Sequence, residues 1–127
     1  MRKARIQDIV YQWEREAGLE RPRLPVLPDA EEQMRRLSFI EEEVLELKVA
    51  IANRDLVGVA DALGDILWMT YGSAHAFGID LDEIVREIAH SNYSKFPPRF
   101  NAAGKLVKGP GFFPPDLARV LADQLPL

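Results

Sequence analysis

Hydrophobic positions recur at helical spacing along most of the chain, and short polar or proline-rich breaks separate them. Ile6, Ile9, Val10, Trp13 and Ala17 form the first such run, and Gly18 supplies a stop. Pro22, Pro25 and Pro28 make residues 18–28 an extended linker. Asp29, with Glu32 three residues on, reads as a capping box that opens a second helix, from about Ala30 to Asn53. A break at Asn53-Arg54-Asp55 leads to a third helix ending near Gly78. Asp80 and Glu83 repeat the capping pattern ahead of a fourth helix with Leu81, Ile84, Val85 and Ile88, which ends before Pro97-Pro98. Residues 96–115 are rich in Gly and Pro, with a turn at Asn101-Ala102-Ala103-Gly104. Leu117, Val120, Leu121 and Leu125 predict a short last helix after Pro115. No segment reads as a strand. The expected fold is all-α: one domain over residues 1–127, a bundle of four to five helices with a Gly/Pro-rich C-terminal loop region.

The second helix carries two apolar stripes, Leu37, Ile40, Val44, Leu47 and Ile51 on one side and Leu45, Val49, Ala52 and Leu56 roughly opposite. Such a helix is expected to pack on both sides, and a short chain covers two faces most simply by pairing with a second copy. On the third helix, Val59, Leu63, Ile66, Leu67, Ala74 and Phe77 form the expected core stripe. Gly58, Asp61, Asp65, Trp68, Gly72 and His75 share the other face.

Two acid clusters interrupt these apolar helices, Glu42-Glu43-x-x-Glu46 and Asp61-x-x-x-Asp65. Like charges one turn apart destabilise a helix, and burying them uncompensated costs far more. A hard divalent cation with oxygen ligands removes the conflict and brings phosphates with it. Glu42, Glu43 and Glu46 are expected to face a partly enclosed space, and Glu41 to be surface. A solvated acidic face remains the bland alternative. Trp68 is placed to stack on a base, although core packing is its commoner role.

Composition narrows the options. A length of 127 residues fits one domain, and the absence of cysteine excludes disulfides, thiolate metal sites and cysteine nucleophiles. A net charge of −4 argues against a nucleic-acid binder, and no apolar run is long enough for a membrane span. A cytoplasmic location is expected. Residues 1–90 carry 11 Lys/Arg against 18 Asp/Glu, whereas residues 91–127 carry 5 against 2. An acidic body and a basic tail suit a cation and a polyphosphate, although solvated surface charge would look the same.

Phe39-Ile40-Glu41-Glu42-Glu43-Val44-Leu45-Glu46-Leu47, followed by Val59-Ala60-Asp61-Ala62-Leu63-Gly64-Asp65-Ile66-Leu67-Trp68, resembles the MazG-like all-α nucleoside triphosphate pyrophosphohydrolases. The superfamily pattern is E-E-x-x-E, a spacer, then E-x-x-D. Glu42, Glu43, Glu46 and Asp65 match it. Ala62 stands where the second Glu belongs, and Asp61 offers a carboxylate one position earlier. The tail, Ser91-Asn92-Tyr93-Ser94-Lys95 and Gly104-Lys105-Leu106-Val107-Lys108-Gly109-Pro110, resembles a phosphoribosyl-ATP pyrophosphohydrolase-like branch.

The resemblance implies Mg²⁺-dependent hydrolysis, with Mn²⁺ as a substitute, of a nucleoside triphosphate to monophosphate and pyrophosphate. It implies Glu42, Glu43, Glu46 and Asp65 as the catalytic acids and metal ligands, with Asp61 as a further ligand or support. One Glu would be free to serve as general base. Lys95, then Arg99 and Lys108, are the implied phosphate contacts, and Asn92 would read a base or sugar edge. A dUTP-like or noncanonical nucleotide is expected ahead of phosphoribosyl-ATP, and a homodimer or higher homo-oligomer is expected. Two rivals remain. Glu87-x-x-His90 matches half of a di-iron pattern. A non-catalytic nucleotide- or metal-binding or scaffold protein would use the same fold, and the missing Glu at position 62 favours it.

Overall fold

The computed structural model describes residues 4–127. These form five α-helices and no strand; an isolated bridge joins Phe100 and Leu106. The helices are α1 (Ile6–Glu16), α2 (Ala30–Ala52), α3 (Leu56–Ala76), α4 (Leu81–Tyr93) and α5 (Leu117–Ala122). The chain parts into two compact units. The first runs to Ile79 and includes Pro126–Leu127; the second is Asp80–Leu125.

The helix starts follow local chemistry. Asp29 accepts from the Glu32 amide, Asp55 from Gly58, Asp80 from Glu83 and Asp116 from Arg119. Each satisfies an amide that the first turn leaves without a partner. The Asp29 cap has the expected half of a capping box. The Glu32 carboxylate turns instead to Arg21 and Arg35.

In the first unit α2 packs along α3, and α1 packs on α3. Of the apolar run of α1, only Val10 lies on the buried face. Ile6, Ile9 and Trp13 are exposed, while Gln7, Val10, Tyr11 and Glu14 are buried. The polar members of that face find partners: the Tyr11 hydroxyl donates to the Ile79 carbonyl at 2.6 Å, and Glu14 anchors an ionic network. Of the expected core stripe on α3, Ala74 is buried and Val59, Ile66 and Phe77 are half-buried. Leu63 and Leu67 are exposed, and the buried residues are Ala62 and the run Gly72, Ser73, Ala74, His75 and Ala76. Small side chains allow close approach there, and the large aliphatics are left on the surface.

Gly72 makes room for charge. A Cβ at this position would lie 2.6 Å from Arg36 Nη2 and 2.9 Å from Glu14 Oε2. Gly78 has a different constraint. Its φ is +68, and a Cβ would lie 2.1 Å from the Leu24 carbonyl oxygen. Val26 N–H donates to the Phe77 carbonyl beside it, so the linker is fixed against the end of α3. Gly78→Ala is expected to destabilise the protein by about 1–3 kcal/mol, since neither backbone can yield cheaply. Urea unfolding of the variant measures this, and an unchanged midpoint would contradict it.

In the second unit α4 packs on α5. Glu87 accepts from the Asp116 amide and from Arg119 Nη2, which fixes the start of α5. The turn expected at Asn101–Gly104 is present: Gly104 N–H donates to the Asn101 carbonyl, with φ +77 at Gly104. No helix among the described residues is long and apolar enough to cross a membrane.

Candidate metal centre

The E-E-x-x-E run lies in the middle of α2, and Asp65 lies on α3, the helix that α2 packs against. This pairing brings three carboxylates together. Glu43, Glu46 and Asp65 each offer an oxygen, and these oxygens lie within 4.8 Å of one another. The three acids of α2 were expected to face a partly enclosed space, but only Glu43 is enclosed, at 9% exposed. Glu42 and Glu46 are exposed. Glu43 points toward α3, and its neighbours on the helix turn outward.

Glu43 Oε2 is buried and has no hydrogen-bond partner among the described residues. A buried carboxylate oxygen without a donor is costly. Burial, then a hydrogen bond with the Glu46 carboxyl and the charges of Glu46, Asp65 and Glu42, push the Glu43 carboxyl up to about 7. No basic group is among the causes that act on Glu43. An all-oxygen donor set with one orphaned buried oxygen fits a hard divalent cation.

The other sequence candidates are placed as follows. Asp61 is exposed, one turn before Asp65, and lies outside the three-carboxylate group. Glu42 also lies outside it, although its charge acts on Glu43. Trp68 meets Trp13 edge to face, with ring centroids 5.6 Å apart. Asn92, Lys95, Arg99 and Lys108 belong to the second unit. Asn92 and Arg99 are exposed, Lys95 is half-buried, and Lys108 Nζ sits 4.8 Å from the Phe112 ring centroid. Glu87 and His90, the di-iron candidates, join no metal-type cluster among the described residues; Glu87 is occupied by Arg119 and the Asp116 amide.

A family model described as phosphoribosyl-ATP pyrophosphohydrolase matches residues 10–92, which include both acid motifs. The chain belongs to this family. It is therefore part of the MazG-like all-α nucleoside triphosphate pyrophosphohydrolase superfamily. Members of the phosphoribosyl-ATP pyrophosphohydrolase family act on phosphoanhydride bonds and typically depend on a divalent metal. The chain thus carries a domain of the nucleotide pyrophosphohydrolase type. It is also 40% identical over 68 residues to an uncharacterized protein of Acanthamoeba polyphaga mimivirus. That match covers 52% of this chain and 27% of the viral protein, so the chain spans well under two thirds of this relative.

Sequence reasoning did not anticipate a second charged cluster, built around Glu14. Arg21 Nε and Nη2 donate to its two oxygens at 3.1 and 3.2 Å, and His75 Nδ1 lies 2.9 Å from Oε1. Arg36 is buried nearby, with Nε on Ser73 Oγ at 3.3 Å. Burial alone would raise the Glu14 carboxyl. The His75 and Arg21 hydrogen bonds and the charges of Arg21 and Arg36 outweigh it and hold Glu14 below its ordinary value. The signal in the sequence was the spacing Gln7, Tyr11, Glu14, a helical face whose polarity argued against burial.

Metal affinity should follow the Glu43 proton. A ligand carboxyl must lose its proton to bind, so affinity rises with pH up to about 7 and then levels off. Below that point the slope is about tenfold per pH unit for one proton displaced. Calorimetric Mn²⁺ titrations between pH 5.5 and 8 measure it, and a flat profile would contradict the assignment.

Proposed function

We propose that this protein is a Mg²⁺-dependent nucleoside triphosphate pyrophosphohydrolase, with Mn²⁺ as a working substitute. Its substrate would be an NTP or dNTP, such as dUTP or a noncanonical nucleotide, and its products a monophosphate and pyrophosphate. The observation that carries this reading is the orphaned Glu43 oxygen inside a three-carboxylate cluster, on the motif that the family match spans. Glu43, Glu46 and Asp65 would hold the ion, with Glu42 and Asp61 beside them. When bound, the ion would supply positive charge against the triphosphate oxygens and favour ionisation of water.

The chain's own residues supply the rest. Three carboxylates without a cation repel a polyphosphate, so substrate is taken only in the presence of metal. A glutamate of the motif that does not hold the ion, such as Glu42, would be free to take a proton from water. Lys95, Arg99 and Lys108 are candidates for the phosphate contacts, and none of them is paired with a carboxylate among the described residues. Asn92 offers both a donor and an acceptor to a base or sugar edge.

The test is product analysis over a nucleotide panel in ¹⁸O-labelled water. Monophosphate and pyrophosphate, formed only with divalent metal, support the reading. Diphosphate and inorganic phosphate would overturn it.

The functional form is proposed to be a homodimer or higher homo-oligomer. Leu37, Val44, Leu45, Val49, Ile51, Leu63 and Leu67 are between 48% and 60% exposed in the single chain. Exposed apolar side chains on two sides of α2 and on α3 favour association. Light scattering at micromolar concentration should give at least twice the mass of 14.4 kDa, and a monomer would refute it.

A further inference from the structure

The buried residues of α2 are Arg36, Glu43 and Ala50, each seven residues from the next. Seven residues make two helical turns, about 10 Å along the axis, with a drift of only about 20°. The three therefore lie on one seam. Their counterparts on α3 repeat the spacing. Gly72 faces Arg36, Asp65 faces Glu43, and Gly58 faces Ala50. A Cβ added at Gly72 would lie 2.6 Å from Arg36 Nη2, and one added at Gly58 would lie 3.2 Å from Ala50 Cβ. The carboxylate layer is thus flanked, two turns away on either side, by a layer in which α3 carries a glycine.

The Arg36 layer is the one that resists sliding. Arg36 is 6% exposed. Its Nε donates to Ser73 Oγ at 3.3 Å and its Nη2 to the Met69 carbonyl at 3.5 Å; Ser73 Oγ donates to the same carbonyl at 2.7 Å. The charges of Glu14 on α1 and Glu32 on α2 act on it as well. Gly72 leaves the notch that admits this group, since a side chain there would meet Arg36 and, at 2.9 Å, Glu14 Oε2. The Ala50–Gly58 layer is apolar and indifferent to a small slide. A buried guanidinium is not, because a slide strips it of its partners. A single buried polar residue in an apolar helix seam sets register in this way.

Register decides the middle layer. The oxygens of Glu43, Glu46 and Asp65 lie within 4.8 Å of one another, and a Mg²⁺-sized ion demands oxygens at about 2.1 Å. A slide of one residue's rise, about 1.5 Å, is a large error on that scale.

We propose that Arg36, seated over Gly72, is a positioning residue that fixes the register of α2 on α3 at which Glu43 and Asp65 reach one ion. The proposal rests on the reading of these carboxylates as a metal site. Arg36 and Gly72 lie outside the carboxylate group, so their effect is read through its affinity.

Mn²⁺ titrations followed by electron paramagnetic resonance, on folded protein well below its thermal midpoint, test this. Gly72→Ala and Arg36→Lys are expected to bind Mn²⁺ about tenfold more weakly than the native protein. Arg36→Lys keeps the charge and loses the fork that reaches Ser73 and Met69. Gly78→Ala is the control for general destabilisation, because its clash with the Leu24 carbonyl lies off the seam, and it should bind as the native protein does. Native affinity in either seam variant would overturn the proposal and leave the metal site standing. An equal loss in Gly78→Ala would also overturn it, by tying affinity to overall stability. A native protein that binds no Mn²⁺ would overturn the metal reading itself, and this proposal with it.

Discussion

Glu43→Gln is expected to lower Mg²⁺-dependent nucleotide hydrolysis by about a hundredfold or more, because it removes the enclosed ligand while keeping shape and volume. The same change should raise the thermal midpoint of the metal-free protein at pH 8. The two effects have one cause. Without metal, the ionised Glu43 carboxylate is buried beside Glu46 and Asp65, and a neutral amide is not repelled there. The pH dependence follows from the sign of the shift. A carboxyl raised from 4.5 to about 7 binds more protons in the folded than in the unfolded state over that interval. The metal-free native protein therefore loses stability as pH rises from 4.5 to about 7, and the variant lacks that loss. Thermal scans in EDTA at pH 5 and pH 8 check this. A variant that is less stable than the native protein at pH 8, or that keeps full activity, would contradict the account.

Glu14→Ala is expected to cost about 3–5 kcal/mol, the largest stability effect of any change considered. Its carboxylate is 3% exposed and is the common partner of Arg21 and His75, with the Arg36 charge close by. Deleting it leaves both Arg21 and the buried Arg36 with Glu32 as the remaining acid. Burial already holds the Arg36 guanidinium below its usual value. Acid should act on the same cluster. Glu14 is held below its ordinary 4.5, so its contribution is full above that value and is lost as pH falls through the lower, folded one. Denaturant unfolding of the variant should show the loss at pH 7, with a shallower fall in stability at acid pH. A midpoint near that of the native protein would show that the cluster contributes little.

Helix boundaries were legible because they depend on near neighbours. Asp29, Asp55, Asp80 and Asp116 each cap within three residues, and Gly and Pro mark the breaks. The carboxylate cluster was also legible, since spacing one turn apart on consecutive helices survives any reasonable packing of α2 on α3. Which faces are buried was not. Hydrophobicity put Leu63 and Leu67 inside, and the chain leaves them exposed while it buries Gln7, Glu14, Arg36 and His75. A buried ionic cluster depends on partners far apart in sequence: Glu14 and His75 are 61 residues apart. Periodicity carries no information about such pairs. The aliphatics left outside are the surface on which the proposed pairing with a second copy rests. Within the acid motif, the sequence could not separate Glu43 from Glu42 and Glu46; enclosure by α3 does so.

The central claim is that Glu43, Glu46 and Asp65 form one divalent metal site. Mn²⁺ binding followed by electron paramagnetic resonance measures this without reference to any substrate. The account predicts saturable Mn²⁺ binding by the native protein, competed by Mg²⁺ and lost in both Glu43→Gln and Asp65→Asn. Native-like Mn²⁺ binding in those two variants would contradict it and would leave the acid cluster as a repulsive surface without a ligand.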